Sequence, residues 1–145
     1  MDELKAEKYL NQIKKADARI QSKLVEVYQL RCLATKVTAQ MGSEPVQTSG
    51  TSDKVGNIAA KIVDLEKEIN RLIDKFIDDK QERIAVIEQV DDALLYTILH
   101  KHFVQYKKFK TIAEEEHYSE VYINKQYQKA LEEVQLILDR KKGQG

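Results

Sequence analysis

"KTIAEEEHYSEVYINKQYQKAL", Lys110 to Leu131, decides how the C-terminal part of this chain folds. It reads either as one acidic surface helix or as two short helices with a tight turn between them. Local chemistry favours the second. Phe109, Ile112 and Ala113 give a short helix an apolar side, and that helix ends near Glu116. The turn then needs a residue in the left-handed region, where glycine is least strained and His117 is a tolerated substitute. Ser119 is placed to cap the next helix, although the partner glutamate of a capping box is missing because position 122 is Tyr.

The second helix has two distinct sides. With Ile123 set on the buried side and 100° per residue, Tyr127, Ala130 and Val134 fall within about 40° of it and Leu131 within about 80°. The opposite side carries Val121, Tyr122, Lys125, Gln128 and Lys129, with Asn124 on the flank. These are residue types that read base edges and phosphates in a major groove. Glu114, Glu115 and Glu116 close the first short helix and stay off this face. Glu120 lies in the first turn of the second helix, where the helix dipole favours an anion. Upstream, Ala93 to Ala113 contains Lys101, Lys107, Lys108 and Lys110 and no acid, a local basic patch suited to a DNA backbone.

Before this unit, Asp91 or Asp92 in "QVDD" is placed to cap a helix whose Ala93, Leu94, Leu95, Ile98, Leu99 and Phe103 form a broad apolar face, until "VQYKK" interrupts it. The N-terminal part has a narrower pattern. From Asp2 to about Gln40, Ile13, Ile20, Val27 and Ala34 recur every seven residues. Leu10 and Leu24 stand three before members of that series, and Ala16, Leu30 and Val37 three after. "MGSEPVQTSGTSD", Met41 to Asp53, is a loop by its Gly, Pro and Ser/Thr content, with Gly42 as a helix-ending glycine and Asp53 or Ser52 as the next cap. From Lys54, Ile58, Ile62, Leu65, Ile69, Leu72 and Phe76 follow coiled-coil spacing. The pattern slips at Asp78–Lys80 and resumes with Ile84 and Ile87. The expected architecture is all-α: a long antiparallel helical hairpin over residues 1–90, with its loop at 42–53, and a helix-turn-helix over residues 91–145. At about 1.5 Å per residue the first helix is roughly 55 Å long. Its stripe is narrow enough that the hairpin is a candidate homodimer surface as well as an internal one.

Composition agrees. Charged residues are 33% and hydrophobic residues 42%, with one Pro, five Gly and no Trp, as in helical proteins, and no strand pattern is present. The 24 basic and 24 acidic residues cancel, unlike a uniformly basic nucleic-acid binder. The balance is uneven: Met1–Met41 holds eight Lys/Arg against five Asp/Glu, Gly42–Val104 eight against twelve, and the remainder eight against seven. The single cysteine, Cys32, cannot form an internal disulfide, which suits a reducing compartment. The first thirty residues are charged throughout, unlike a signal peptide, and no apolar run nears the roughly 20 residues of a membrane helix. The expectation is a soluble cytoplasmic protein.

"LLYTILHKHF", "FKTIAEEEHYSEVYINKQYQKAL" and the order in which they stand resemble the helix-turn-helix of region four in bacterial sigma factors. The likeness covers Asp91 to Leu136. It runs through the leading apolar helix, the aromatic three residues before "IA", the turn, Ser-Glu with an apolar residue four after that Ser, and the closing Ala130. Lys108 stands where many relatives place a capping Ser, and the turn lacks their Gly. The whole chain, including "SDKVGNIAAKIVDLEKEINRLID", resembles ArpU/RinA-type regulators of phages and prophages of Gram-positive bacteria. That resemblance implies a double-stranded DNA-binding regulator in the bacterial host cytoplasm, activating late genes. The expected contacts are Lys107, Lys108, Lys110, Thr111, Ser119, Val121, Tyr122, Asn124, Lys125, Gln128 and Lys129. The hairpin would dimerise or bind another protein, with RNA polymerase as a candidate.

Two other functions fit the same pattern: a phage terminase small subunit that recognises packaging-site DNA, and a helical adaptor whose helix-turn-helix binds protein. An enzyme does not fit. No phosphate-cradling Gly loop, nucleophile motif or carboxylate pair is present, and Asp78–Asp79 and Asp91–Asp92 read as solvated or capping residues. His100, His102 and His117 have no metal-ligand spacing, and Cys32 has no nearby His, so no metal or cofactor is expected.

Overall fold

The computed structural model describes the backbone of residues 2–43 and 49–144, and side chains for 5–39 and 53–143. Among the described residues five α-helices follow one another: α1 (Asp2–Ser43), α2 (Ser49–Glu88), α3 (Ala93–Leu99), α4 (Phe109–Glu116) and α5 (Glu120–Gln144). A π-helical segment, His100–Val104, continues α3. The described residues contain no strand. No helix is long and apolar enough to cross a membrane among them. Part of the expected loop 42–53 is helical, because α1 reaches Ser43 and α2 opens at Ser49, ahead of the start expected near Lys54. Gly50, Thr51 and Ser52 are weak helix formers, but each costs only about 1 kcal/mol or less in a helix, so they mark a boundary loosely. Residues 44–48, which include Pro45, lie outside the described residues.

The chain divides into two compact units, Asp17–Lys75 and Met1–Ala16 with Phe76–Gly145. In the first, α1 and α2 run antiparallel: Lys23 pairs with Glu68 at 3.2 Å and Arg31 with Glu66 at 2.7 Å. Ile20, Val27, Ile58 and Ile69 are buried, as the heptad spacing requires. Leu24 departs from its expected place in the stripe and is 43% exposed. Three residues is 300° of helix, so Leu24 and Leu30 flank Val27 on opposite sides, about 60° away. The partner helix sits toward Leu30, which lines one wall with Lys61 and Leu65.

The second unit has a wider core. Ala6 and Leu10 of α1, Val86 and Ile87 of α2, Leu95, Ile98 and Leu99 of α3, and Phe103 meet Ile112 of α4. The buried side of α5 completes it. Of the two candidate caps, Asp92 starts α3: its Oδ1 accepts the Leu95 N–H at 3.0 Å. The π segment ends where the Gln105 N–H reaches the His100 carbonyl at 3.1 Å and the Lys107 N–H reaches that of Lys101 at 2.9 Å. Tyr106 then takes a left-handed conformation, φ 59°. This reversal carries the chain into α4, whose flanking Lys108 has extended angles and no side-chain cap.

Candidate nucleic-acid interface

The stretch from Lys110 to Leu131 folds as two helices. His117 has φ 63° and ψ 42°, inside the left-handed region. Both the His117 and Tyr118 N–H groups point at the Ala113 carbonyl, which closes the end of α4. The Ser119 Oγ accepts the Tyr122 N–H at 3.1 Å and caps α5. The turn thus gets its reversal from a residue with a Cβ, at a cost of about 1–2 kcal/mol relative to a right-handed conformation.

Helix α5 packs against α3 and α4. Ile123, Tyr127, Ala130, Leu131 and Val134 are all buried to 4% exposure or less, so they form a continuous seam. Opposite them, Val121 is 67% and Tyr122 39% exposed, and Lys125, Gln128 and Lys129 are exposed. From Val121 to Leu131 there is no acidic residue; Glu132, the next residue, ends the stretch. Asn124, on the flank, donates from Nδ2 to the Glu120 carbonyl at 3.0 Å and so lies along its own helix.

An aromatic cluster holds this helix in place. Phe109 lies 4.7 Å from the Tyr127 ring, and His102 stacks on Phe109 at 4.4 Å. Phe103 borders both. The Tyr127 hydroxyl donates to Glu7 Oε2 at 2.8 Å; burial, reinforced by that carboxylate, pushes its pKa far up, so it remains a neutral donor. His102 Nδ1 bonds the Lys107 carbonyl at 3.0 Å, and burial holds the imidazole below its ordinary pKa. In the neutral ring Nδ1 then carries the proton.

The lysines that the sequence groups together fall into two sets. Lys101 Nζ donates to Glu115 at 2.9 Å and to Glu116 at 2.7 Å. Lys107 Nζ donates to both oxygens of Glu115, at 2.9 and 2.8 Å. The hydrogen bonds to Glu115 and Glu116 push the Lys101 pKa up, and those from Lys101 and Lys107 pull that of Glu115 down. Lys108 and Lys110 are exposed and make no ion pair among the described residues, and Thr111 is exposed beside them. At the start of α4 and on the first three turns of α5, Lys108, Lys110, Lys125 and Lys129 face solvent without a carboxylate partner among the described residues.

Tyr118, in the turn, is 47% exposed and stacks on Tyr122 with centroids 4.8 Å apart. The two rings form one exposed aromatic surface at the head of α5. Their spacing of four residues, spanning the cap, is the signal that points to it. No group of three or more His, Cys, Asp or Glu that could hold a metal ion occurs among the described residues. Comparison of the chain with models of known families, with curated proteins and with solved structures gave no match.

Proposed function

We propose that the chain is a sequence-specific double-stranded DNA-binding protein that acts as a phage or prophage transcription regulator. One observation carries this reading: an acid-free face of Val121, Tyr122, Lys125, Gln128 and Lys129 stands opposite a fully buried seam, directly after a tight left-handed turn. A recognition helix needs this arrangement, because its N-terminal turns enter the major groove while the preceding helix steadies it against the backbone. Lys108 and Lys110 supply phosphate contacts, and Glu132 limits the insertion to the first three turns of α5. Activation of late genes rests on the resemblance to ArpU/RinA-type regulators, as does RNA polymerase as a partner.

A second copy of the chain is the further partner in this reading. Between Asp17 and Lys36, the charged residues of α1 are Arg19, Lys23, Glu26 and Arg31. All lie within about 100° of Val27 on the helix. The far side carries Gln21, Ser22, Val25, Gln29 and Cys32, with Leu24 and Tyr28 at its edge, and all seven are exposed. A two-fold contact pairs the same patch on both copies, residue i with j and j with i, so an uncharged face meets an uncharged face without like-charge repulsion.

Selection of bound duplexes from a random pool, followed by mobility shift of the winner, tests the DNA reading. The expected result is a preferred sequence, and a loss of about tenfold or more on Lys125→Glu. No shift at low salt with any duplex would remove the DNA reading and leave a protein-binding adaptor. A ring of many subunits in solution would instead favour a terminase small subunit.

A further inference from the structure

We propose that a groove in the second unit, formed by the first turns of α1, the last turns of α2 and the C-terminal half of α5, binds a small organic anion with an apolar body. This site lies apart from the exposed Val121–Lys129 face of α5 and does not depend on DNA binding. The groove encloses about 530 Å³. That is the volume of a small-molecule site.

Its walls are mainly apolar, with the Tyr9 ring and Leu138 prominent among them. Tyr9 is held from behind. The Arg83 guanidinium lies 4.3 Å from the ring centroid, while its Nε donates to the Tyr9 carbonyl at 2.9 Å and its Nη1 to the Asp79 carbonyl at 3.2 Å. Burial, followed by the nearby Glu82, pushes the Tyr9 pKa up and keeps the phenol neutral.

Charge on the groove is one-sided. Lys5 and Lys8 of α1 and Lys141 and Lys142 of α5 line it, against Glu82 and Asp139. Four cations against two acids is a local excess in a chain whose totals are equal. All four lysines are exposed, so their stems extend the apolar wall while the ammonium groups stay at the rim. An inorganic anion would find no convergent donors on such a floor. An aromatic or acyl body with an acidic head finds both surfaces.

A third feature indicates a ligand. Gln135 is only 8% exposed and also lines the groove. Its Nε2 donates to Asp139 Oδ1 at 3.0 Å. Because a carboxylate only accepts, this bond settles which way the amide points. The Oε1 atom is buried and has no hydrogen-bond partner in the protein. A buried acceptor left unpaired is costly, and a small turn of the Gln135 amide toward the groove lets a ligand N–H or O–H supply the missing donor.

The test uses the full chain and 8-anilinonaphthalene-1-sulfonate, which joins an aromatic body, a sulfonate and an N–H. Fluorescence titration should saturate at one dye per chain. The Lys8→Glu/Lys141→Glu double variant should weaken binding about tenfold or more. Gln135→Leu removes the orphan acceptor while filling its space, and should weaken binding about fivefold. Both variants should keep the helical circular dichroism of the parent. Excess inorganic phosphate should not displace the dye, and neutral Nile red should bind far more weakly. Unsaturable dye uptake, equal affinity in the charge-reversed variant, displacement by phosphate, or equal binding of Nile red would each overturn the proposal.

Discussion

Lys101 and Glu115 stand fourteen positions apart and meet at 2.9 Å, which ties the π-helical segment to α4. Lys107 shares the same carboxylate. One glutamate thus neutralises two lysines that, in the proposed DNA-binding reading, would otherwise be free to meet a phosphate backbone. Glu115→Gln releases Lys107 entirely and leaves Lys101 with Glu116. The expected outcome is tighter non-specific duplex binding at low salt, with the slope of log affinity against log salt steeper by about one. Fluorescence anisotropy across a salt series measures it. An unchanged slope would mean that these lysines do not face the duplex. The pair also has a pH signature. The Glu115 pKa is depressed in the folded state, so its contribution to stability is present above the ordinary glutamate value and is lost as pH falls through the depressed one.

His117 carries the strain of the turn. Its φ of 63° is one that glycine adopts without penalty, and its side chain is exposed. His117→Gly should raise the unfolding free energy by about 1 kcal/mol, offset in part by the looser unfolded chain. His117→Val should lower it, because a β-branched residue is worse in that region. Urea denaturation of the three proteins decides the point. Equal stability of the glycine and valine variants would show that the turn has another geometry.

The seam of α5 is legible in the sequence because a helix repeats every 3.6 residues and Ile123, Tyr127, Ala130 and Val134 obey that period. The left-handed turn is legible without a glycine because Ser119 and the change of pattern on either side bracket it. Other features have no local signature. The π-helical segment contains the buried Phe103, and no residue type in it prefers an i to i+5 bond. The Lys101–Glu115 contact joins residues across the reversal at Tyr106, so an acid-free run of sequence is not an acid-free surface. The groove beside Gln135 brings together the two ends of the chain, which no sequence window contains. Leu24 shows the limit of a heptad count, which gives the stripe but not the side on which the partner helix sits.

His102 gives the protein a measurable pH dependence. Desolvation lowers its pKa below the ordinary value, against the opposing effects of the Lys107 carbonyl and Glu7, with Lys14 acting in the same direction as burial. The folded state therefore prefers the neutral ring. Stability is fully present above the unfolded histidine value of about 6.5 and falls as pH drops through it toward the folded value. Melting temperature should decline from about pH 7.5 to about pH 5, and His102→Gln should flatten that decline. An identical slope in both proteins would assign the effect to other groups.

The far side of α1 between Asp17 and Lys36, which carries no charge, makes the last prediction. If a second copy covers Val25, Tyr28 and Cys32, a single charge at Tyr28 is repeated across the two-fold and sets two like charges into one uncharged contact. Tyr28 is 68% exposed, so Tyr28→Glu leaves the fold of one chain undisturbed. Light scattering should show mass rising with concentration toward a dimer for the parent. For the variant, the dimer dissociation constant should rise about tenfold or more. Arg31→Ala is the matching control. It removes the 2.7 Å pair with Glu66, an exposed intrachain pair of the kind that contributes about 0–1 kcal/mol, and should leave the dimer constant unchanged. A parent that stays monomeric at every concentration, or a Tyr28→Glu curve that overlays the parent's, would place the dimer contact elsewhere or remove it.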